Sequence, residues 1–322
     1  MNQPLYDKIG MEVSKKGGIS LLKTAFEQIV NVNKIGSRNE KHLHDILTLA
    51  QAEKTVPAKN DKKKILFLGI DFQNDFMENG ALGVPGAHKD IQNVTKFIYR
   101  HLHKITDIAV SLDTHQPRQI FHPCWWEDQA GNHPQPLTII TTQDIESGKW
   151  IPVYEKEESV EYVVNLEKSG KKQLCIWPYH CIEGTYGSSL EGQFANIIYF
   201  HSVVRRTNVI RMVKGLYPAT EMYGIFRPEY SKNIEANIRL LESMRHYDQI
   251  IIAGEAKSHC VLESVIQLVE YLKSVKDDPA KIYLLEDGMS SIPGFEDETE
   301  QAYRTLVNND GIHLVTSTEF EL

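Results

Sequence analysis

The sequence is poor in cysteine. Its 322 residues include four, Cys124, Cys175, Cys181 and Cys260, widely spaced and with no CxxC pair. That spacing argues against a disulfide framework or a thiolate-built zinc module, and it suits free thiols in a reducing compartment, one of which could be reactive. No apolar run is long enough to span a bilayer. The opening MNQPLYDKIGMEVSKKGG lacks the apolar core of a secretory signal, so a cytoplasmic location is expected. Basic excess is absent too. Lys and Arg number 35 against 43 Asp and Glu, a formal charge of -8, which argues against broad affinity for nucleic acid or anionic membranes. The run Asp61-Lys62-Lys63-Lys64 is short and reads as a solvated edge before a strand. There is no HExxH and no GxGxxG after the first strand, so zinc-protease and dinucleotide-binding readings fail. Internal repeats and low-complexity tracts are also missing.

What is present is an ordinary globular composition, 41% hydrophobic and 24% charged, sufficient for a core without covalent staples. Residues 1–60 read as a helical extension and linker. Leu21, Leu22, Ala25, Phe26, Ile29 and Val30 share one helical face, and a second helical stretch from about Glu40 to Glu53 carries Leu43, Ile46, Leu47 and Leu49. KTVPAKNDKKK then reads as linker, and the extension is expected to pack on the main domain or on a neighbouring subunit of a homo-oligomer. From residue 61 to 322 the pattern is regular. Short apolar runs at 65–70, 108–112, 209–213, 250–253, 282–285 and 313–315 read as buried strands. Helical stretches fall at about 88–104, 188–204, 230–246, 258–274 and 297–308. Such alternation predicts an α/β three-layer sandwich around a mainly parallel six-stranded sheet. All strand C-termini then lie on one rim, where open α/β sheets bind ligands.

The chemically informative residues follow those strands: Asp71 the first, Asp113 the second, Lys214 the third and the Gly254–Cys260 loop the fourth. Cys260 stands where a strand ends and a helix begins, so its sulfur meets the positive end of a helix dipole. Taken alone, that segment suits a buried structural thiol equally well. Asp71 could be a general base or a turn-stabilising aspartate, with Asp75 as a helix cap; Lys214 could stabilise negative charge or sit on the surface. Asp113 and His115 are alternate residues that an extended segment points the same way. With His180 from WPYHC they make a carboxylate and two imidazoles, a set that suits zinc, iron or manganese and leaves positions open. His122 is a possible fourth ligand.

Five segments, IDFQNDFMENGALGVPGA, SLDTHQPRQIFHP, WPYHCIEGTYG, VKGLYPATEMYGIF and IIAGEAKSHCV, together resemble the nicotinamidase/isochorismatase-like cysteine hydrolases over about residues 63–320. The resemblance implies an Asp71–Lys214–Cys260 triad and a metal held by Asp113, His115 and His180, which favours the nicotinamidase branch. It also implies a pocket lined by Phe76 and Trp177, with Tyr223 as a further wall. The family's cis peptide before the nucleophile falls here between Glu255 and Ala256, and would turn the Ala256 and Cys260 amides inward as an oxyanion hole. The implied function is hydrolysis of nicotinamide or a related aromatic carboxamide through a thioester, assisted by one divalent metal ion, zinc before iron or manganese. Alternatives are a different amide or a ureido acid as substrate, or a catalytically silent assembly scaffold. The sequence departs from the family at Lys257 and Ser258, which stand where threonine and aspartate are common, and at the glycine after Tyr223, where serine is common. An insertion at about 124–172, with Trp125, Trp126, Trp150 and a helix from about 158 to 172, begins between the metal ligands and is expected to border the pocket.

Overall fold

The computed structural model describes residues 22–169, 172–232 and 234–322. Leu21 and the residues before it, residues 170–171 at the end of the predicted insertion helix, and residue 233 lie outside them.

Six strands form one sheet: β1 (Ile65–Ile70), β2 (Asp107–Asp113), β3 (Ile210–Lys214), β4 (Gln249–Gly254), β5 (Ile282–Leu285) and β6 (His313–Val315). Their order is β6-β5-β4-β1-β2-β3 and every pairing is parallel. The chain moves outward from β1 to β3, then returns to β4 on the other side of β1. The strand order therefore reverses beside β1, and the crevice at the C-terminal ends of β1 and β4 is the switch point where such sheets bind ligands. The strands are buried on both faces where they are most apolar; every residue of β1 is buried.

The long helices bear out the apolar spacing. In α2 (Ala87–His101), Ile91, Val94, Ile98 and Phe97 are buried at intervals of three and four. It packs on α4 (Gly192–Arg205), while α6 (Leu262–Ser274) packs on α7 (Glu296–Asp310). Right-handed crossovers place those two pairs on opposite faces of the sheet. Two helices start four or more residues later than predicted, and each has a local cause. α4 starts at Gly192 because the Glu191 carboxylate accepts from the N–H groups of Gln193 and Phe194, both at 2.8 Å. The predicted helix 230–246 is helical only as α5 (Ile238–Met244), where Asn237 accepts from Leu240 N–H; upstream, Tyr230 and Lys232 reach instead to Glu161.

Residues 22–60 pack on the main body. Phe26–Ile29 forms a single helical turn, and α1 (Leu43–Gln51) lies on α4, with Ile29, Val30, Ile35, Ile46 and Ala50 joined to the same apolar core as the sheet. The buried Arg205 guanidinium clamps the linker by a two-oxygen contact to Asp61 at 2.5 and 2.6 Å. Within the insertion, Trp126–Glu127 pairs with Ile151–Pro152 ahead of α3 (Lys156–Ser169), and Ile139–Ile140 pairs with Leu174–Cys175 just beyond it. Trp125 and Trp126 are fully buried, their indoles bonded to Ser159 Oγ and the Ile120 carbonyl.

Candidate active site

Asp71, Lys214 and Cys260 meet at the switch point. Lys214 Nζ lies 3.0 Å from Asp71 Oδ2 and 3.7 Å from Cys260 Sγ. All three are almost wholly buried. The sequence builds this from three strand ends. The Asp71 residue itself adopts a left-handed backbone (φ 51°), a conformation that costs a non-glycine residue about 1 kcal/mol or more. Ser111 on the neighbouring strand holds it there. Its hydroxyl accepts from Asp71 N–H at 2.9 Å and donates to Asp71 Oδ1 at 2.5 Å.

Cys260 sits in a π-helical turn, Lys257–Val261, that opens α6. The Glu255–Ala256 peptide is trans, since no described peptide bond is cis, which corrects the expectation of a cis bond there. The chain reverses at this point through Ala256, whose left-handed φ of 57° supplies the sharp turn from β4 into the helix. The two departures in this loop face away from the thiol. Lys257 Nζ pairs with Glu300 on α7, and Ser258 Oγ accepts from Ile292 N–H and bonds His259 Nδ1.

Beside the triad, Asp113, His115 and His180 present one ligand atom each, all within 4.8 Å of one another. His115 Nε2 is 2.8 Å and His180 Nε2 3.7 Å from Asp113 Oδ2. The Nδ1 atoms face the carbonyls of Gly215 (3.2 Å) and Pro178 (2.8 Å), which fixes both rings with Nε2 turned to the carboxylate. Gly215 explains the glycine after Lys214: a Cβ there would lie 2.5 Å from His115 Cε1. Asp75, read as a possible helix cap, instead accepts from Cys181 N–H at 2.7 Å and so ties down the turn that carries His180. His122 adjoins the cluster with its ring centre 6.0 Å from both histidines, and its buried Nε2 has no protein partner.

Lys214 Nζ is also 2.9 Å from Asp113 Oδ1, so one ammonium serves two carboxylates. Their proton affinities are pushed apart. Burial raises Asp71, more than Lys214 lowers it. Asp113 is raised by burial as well, but His115 and Lys214 outweigh that and hold it well below the usual carboxylate range. Burial also raises the Cys260 thiol, against the pull of Lys214. A permanent anion beside a proton-accepting carboxyl is the division of labour expected of paired acids in a catalytic site.

A small cavity, partly open to solvent, lies over the thiol. Phe76, Trp177 and Tyr223 all line it, as do Ala256 and Cys260. Sequence reasoning passed over four residues here. Ser111 could have been found as the alternate strand residue before Asp113. Gln73, which bonds both the N–H and the carbonyl of Asp113, lies two positions after Asp71. His259 precedes the thiol; burial pushes it down to about 2, so it stays neutral as an aromatic wall 5.2 Å from Tyr223 and 5.5 Å from Trp177. Glu221 had no visible signal. All four cysteines are free thiols.

No family model matches the chain. It is 24% identical to the nicotinamidase of Saccharomyces cerevisiae over 240 residues, which span 69% of this chain and 94% of the relative. The solved structure of the yeast nicotinamidase matches with a TM-score of 0.54 and 21% identity, covering 78% of this chain and 99% of that one. An Acinetobacter baumanii nicotinamidase/pyrazinamidase matches with a TM-score of 0.53 and 18% identity, covering 81% and 99%. The structural likenesses establish the fold, and the yeast relative joins them along nearly its whole length. The chain is thus similar in sequence to a nicotinamidase and shares the fold of solved nicotinamidases.

Proposed function

We propose that this protein is a metal-assisted cysteine amidohydrolase that converts nicotinamide or a related aromatic carboxamide to the acid and ammonia. The observation that carries the reading is the position of Lys214, whose one ammonium faces the Asp71 carboxyl, the Cys260 thiol and Asp113 of the metal-type cluster. The yeast relative is a nicotinamidase, and a structure of it is described as bound to the inhibitor nicotinaldehyde; it matches with a TM-score of 0.54.

In this reading Asp71 accepts the Cys260 proton, and Lys214 offsets the charge on both. The thiolate sulfur bonds to the carboxamide carbon, and the carbonyl electrons move to oxygen, which the Ala256 and Cys260 amides hold. Asp71 returns its proton to the nitrogen, the C–N bond breaks, and ammonia leaves a thioester on Cys260. Asp71 then takes a proton from water as its oxygen attacks the thioester. The C–S bond breaks, the acid departs, and the proton goes back to sulfur. Phe76, Trp177 and Tyr223 hold the ring.

Asp113, His115 and His180 would hold the metal, with His122 as the candidate fourth ligand. The fit rests on Nε2 atoms already turned to a shared carboxylate and on the orphaned Nε2 of His122. One carboxylate with imidazoles suits zinc, iron or manganese, and the ion when bound would act as a Lewis acid toward a ring nitrogen or a water beside the substrate. The net charge of -8 supports a small-molecule partner rather than nucleic acid or membrane, and no described helix is long and apolar enough to cross a membrane. Homo-oligomeric assembly in the cytosol remains part of the proposal.

The test is ammonia release from a panel of carboxamides and ureido acids with divalent metal supplied. Release from nicotinamide or a close aromatic analogue is expected. No release from any member would end the amidase reading.

A further inference from the structure

Two aromatic walls of the pocket share one buried anchor. Glu221 Oε1 accepts from the Tyr223 hydroxyl at 2.5 Å and from Trp177 Nε1 at 3.1 Å, and the indole N–H also reaches the Tyr223 oxygen at 3.1 Å. The two rings stand perpendicular, 6.5 Å between centres, forming a corner. Glu221 Oε2 accepts from the Tyr162 hydroxyl at 3.2 Å, and that hydroxyl in turn accepts from Glu221 N–H at 3.2 Å. Tyr162 belongs to α3, inside the insertion, and is itself buried. From the end of the same insertion, Lys172 Nζ lies 4.6 Å from the centre of the Tyr223 ring.

A carboxylate only 2% exposed is costly to bury unless its lone pairs are used. Here each donor it satisfies belongs either to a pocket wall or to the insertion. A hydrophobic residue would fill the space without fixing either ring, because an indole N–H and a phenol O–H specify direction as well as contact.

We propose that Glu221 is a positioning residue that fixes the Trp177–Tyr223 corner, and that the insertion completes the anchor through Tyr162 and thereby sets affinity for the substrate's ring. The choice of an aromatic carboxamide as ligand rests on the amidase reading above. The groups facing Glu221 are Tyr162 and Lys172 from the insertion, Cys175 and Trp177 from the segment leading to His180, and Tyr223 from its own loop. Burial raises the Glu221 carboxyl to about 7, against the lowering by its three donors and Lys172. Above that pH it accepts from all three; below it, its own proton takes up an acceptor position and the corner loosens.

The experiment compares the full-length wild type with Glu221→Ala, Glu221→Gln and Tyr162→Phe. It reads kcat and KM for nicotinamide and, independently of turnover, protection of Cys260 from iodoacetamide by nicotinamide, followed by mass spectrometry of the Cys260 peptide. Glu221→Ala is expected to raise KM and the protection constant about tenfold or more with kcat changed less than about threefold, since binding is lost in ground and transition state alike. Glu221→Gln is expected to recover most of this, its carbonyl taking the place of Oε1 and its amide donating to Tyr162, and to lose the wild type's KM inflection near pH 7. Tyr162→Phe, which removes one hydroxyl outside the pocket and leaves the fold's volume intact, is expected to raise KM about threefold. Unchanged KM and protection in Glu221→Ala and Tyr162→Phe, or a fall in kcat with KM unmoved, overturns the proposal. Protection without turnover, in the same order of variants, upholds the anchor and removes only the amidase reading.

Discussion

Lys214 Nζ stands 2.9 Å from Asp113 Oδ1, so the ammonium that faces the nucleophile candidate also neutralises the carboxylate of the metal-type cluster. The two halves of the site are thus one electrostatic unit. Replacing Lys214 by Met would leave Asp71 and Asp113 buried without their shared counter-ion. Breaking a buried pair typically costs about 3–5 kcal/mol. Lys214→Met is expected to lower the unfolding free energy by that order and to reduce kcat by roughly 100-fold or more. Chemical denaturation and ammonia release read the two effects separately.

Ser111 donates to Asp71 Oδ1 at 2.5 Å and so favours the ionised carboxyl. A base must be ionised to accept a proton. Ser111→Ala therefore raises the Asp71 proton affinity and moves the acid limb of the kcat/KM profile to higher pH, by about one unit for a charged hydrogen bond of about 1.5 kcal/mol. A profile that stays in place would show that Asp71 does not govern that limb.

Metal content tests the cluster directly. His180→Ala removes one of the three converging ligand atoms, and bound metal per chain after dialysis is expected to fall well below the wild type. His122→Ala is expected to weaken binding less, because its ring lies further out, 6.0 Å from both histidine rings. Unchanged stoichiometry in His180→Ala would remove that residue from the ligand set.

Away from the site, Asp90 on α2 is buried and raised to about 7 by desolvation, which outweighs the Ser290 hydrogen bond. Its folded affinity for a proton exceeds the unfolded one, so between about pH 4 and 7 the folded state binds more protons. Stability from this group is present at low pH and declines as pH rises through that window. Asp90→Asn lacks the titration. Its stability relative to the wild type is expected to improve by roughly 2–4 kcal/mol from pH 4 to pH 8, and denaturant midpoints at the two pH values read this. A pH-independent difference would show that Asp90 is ionised when folded.

Much of the fold was legible because a parallel sheet writes its strands as apolar runs. All six predicted strands appear within one residue or so of their expected ends. The convergence of Asp71, Lys214 and Cys260 was legible for a related reason: each stands at or just after the end of a strand, and parallel strands end on one rim. Local competition was harder to read. The Tyr230–Ala236 stretch has helical composition, yet Tyr230 and Lys232 are drawn to Glu161 in the insertion, a partner no local pattern reveals. Glu221 was invisible for the same reason, since its three donors come from three separate segments. The trans peptide at Glu255–Ala256 shows that an expectation carried over from a family can miss the backbone while the side chains still converge.

In the proposed reaction Cys260 forms a covalent acyl intermediate. Mass spectrometry of the Cys260 peptide, quenched in acid during turnover of nicotinamide, tests it most directly. A nicotinoyl thioester on that peptide is expected in the wild type, with neither adduct nor ammonia release above background in Cys260→Ala. Ammonia release by Cys260→Ala at the wild-type rate would contradict it.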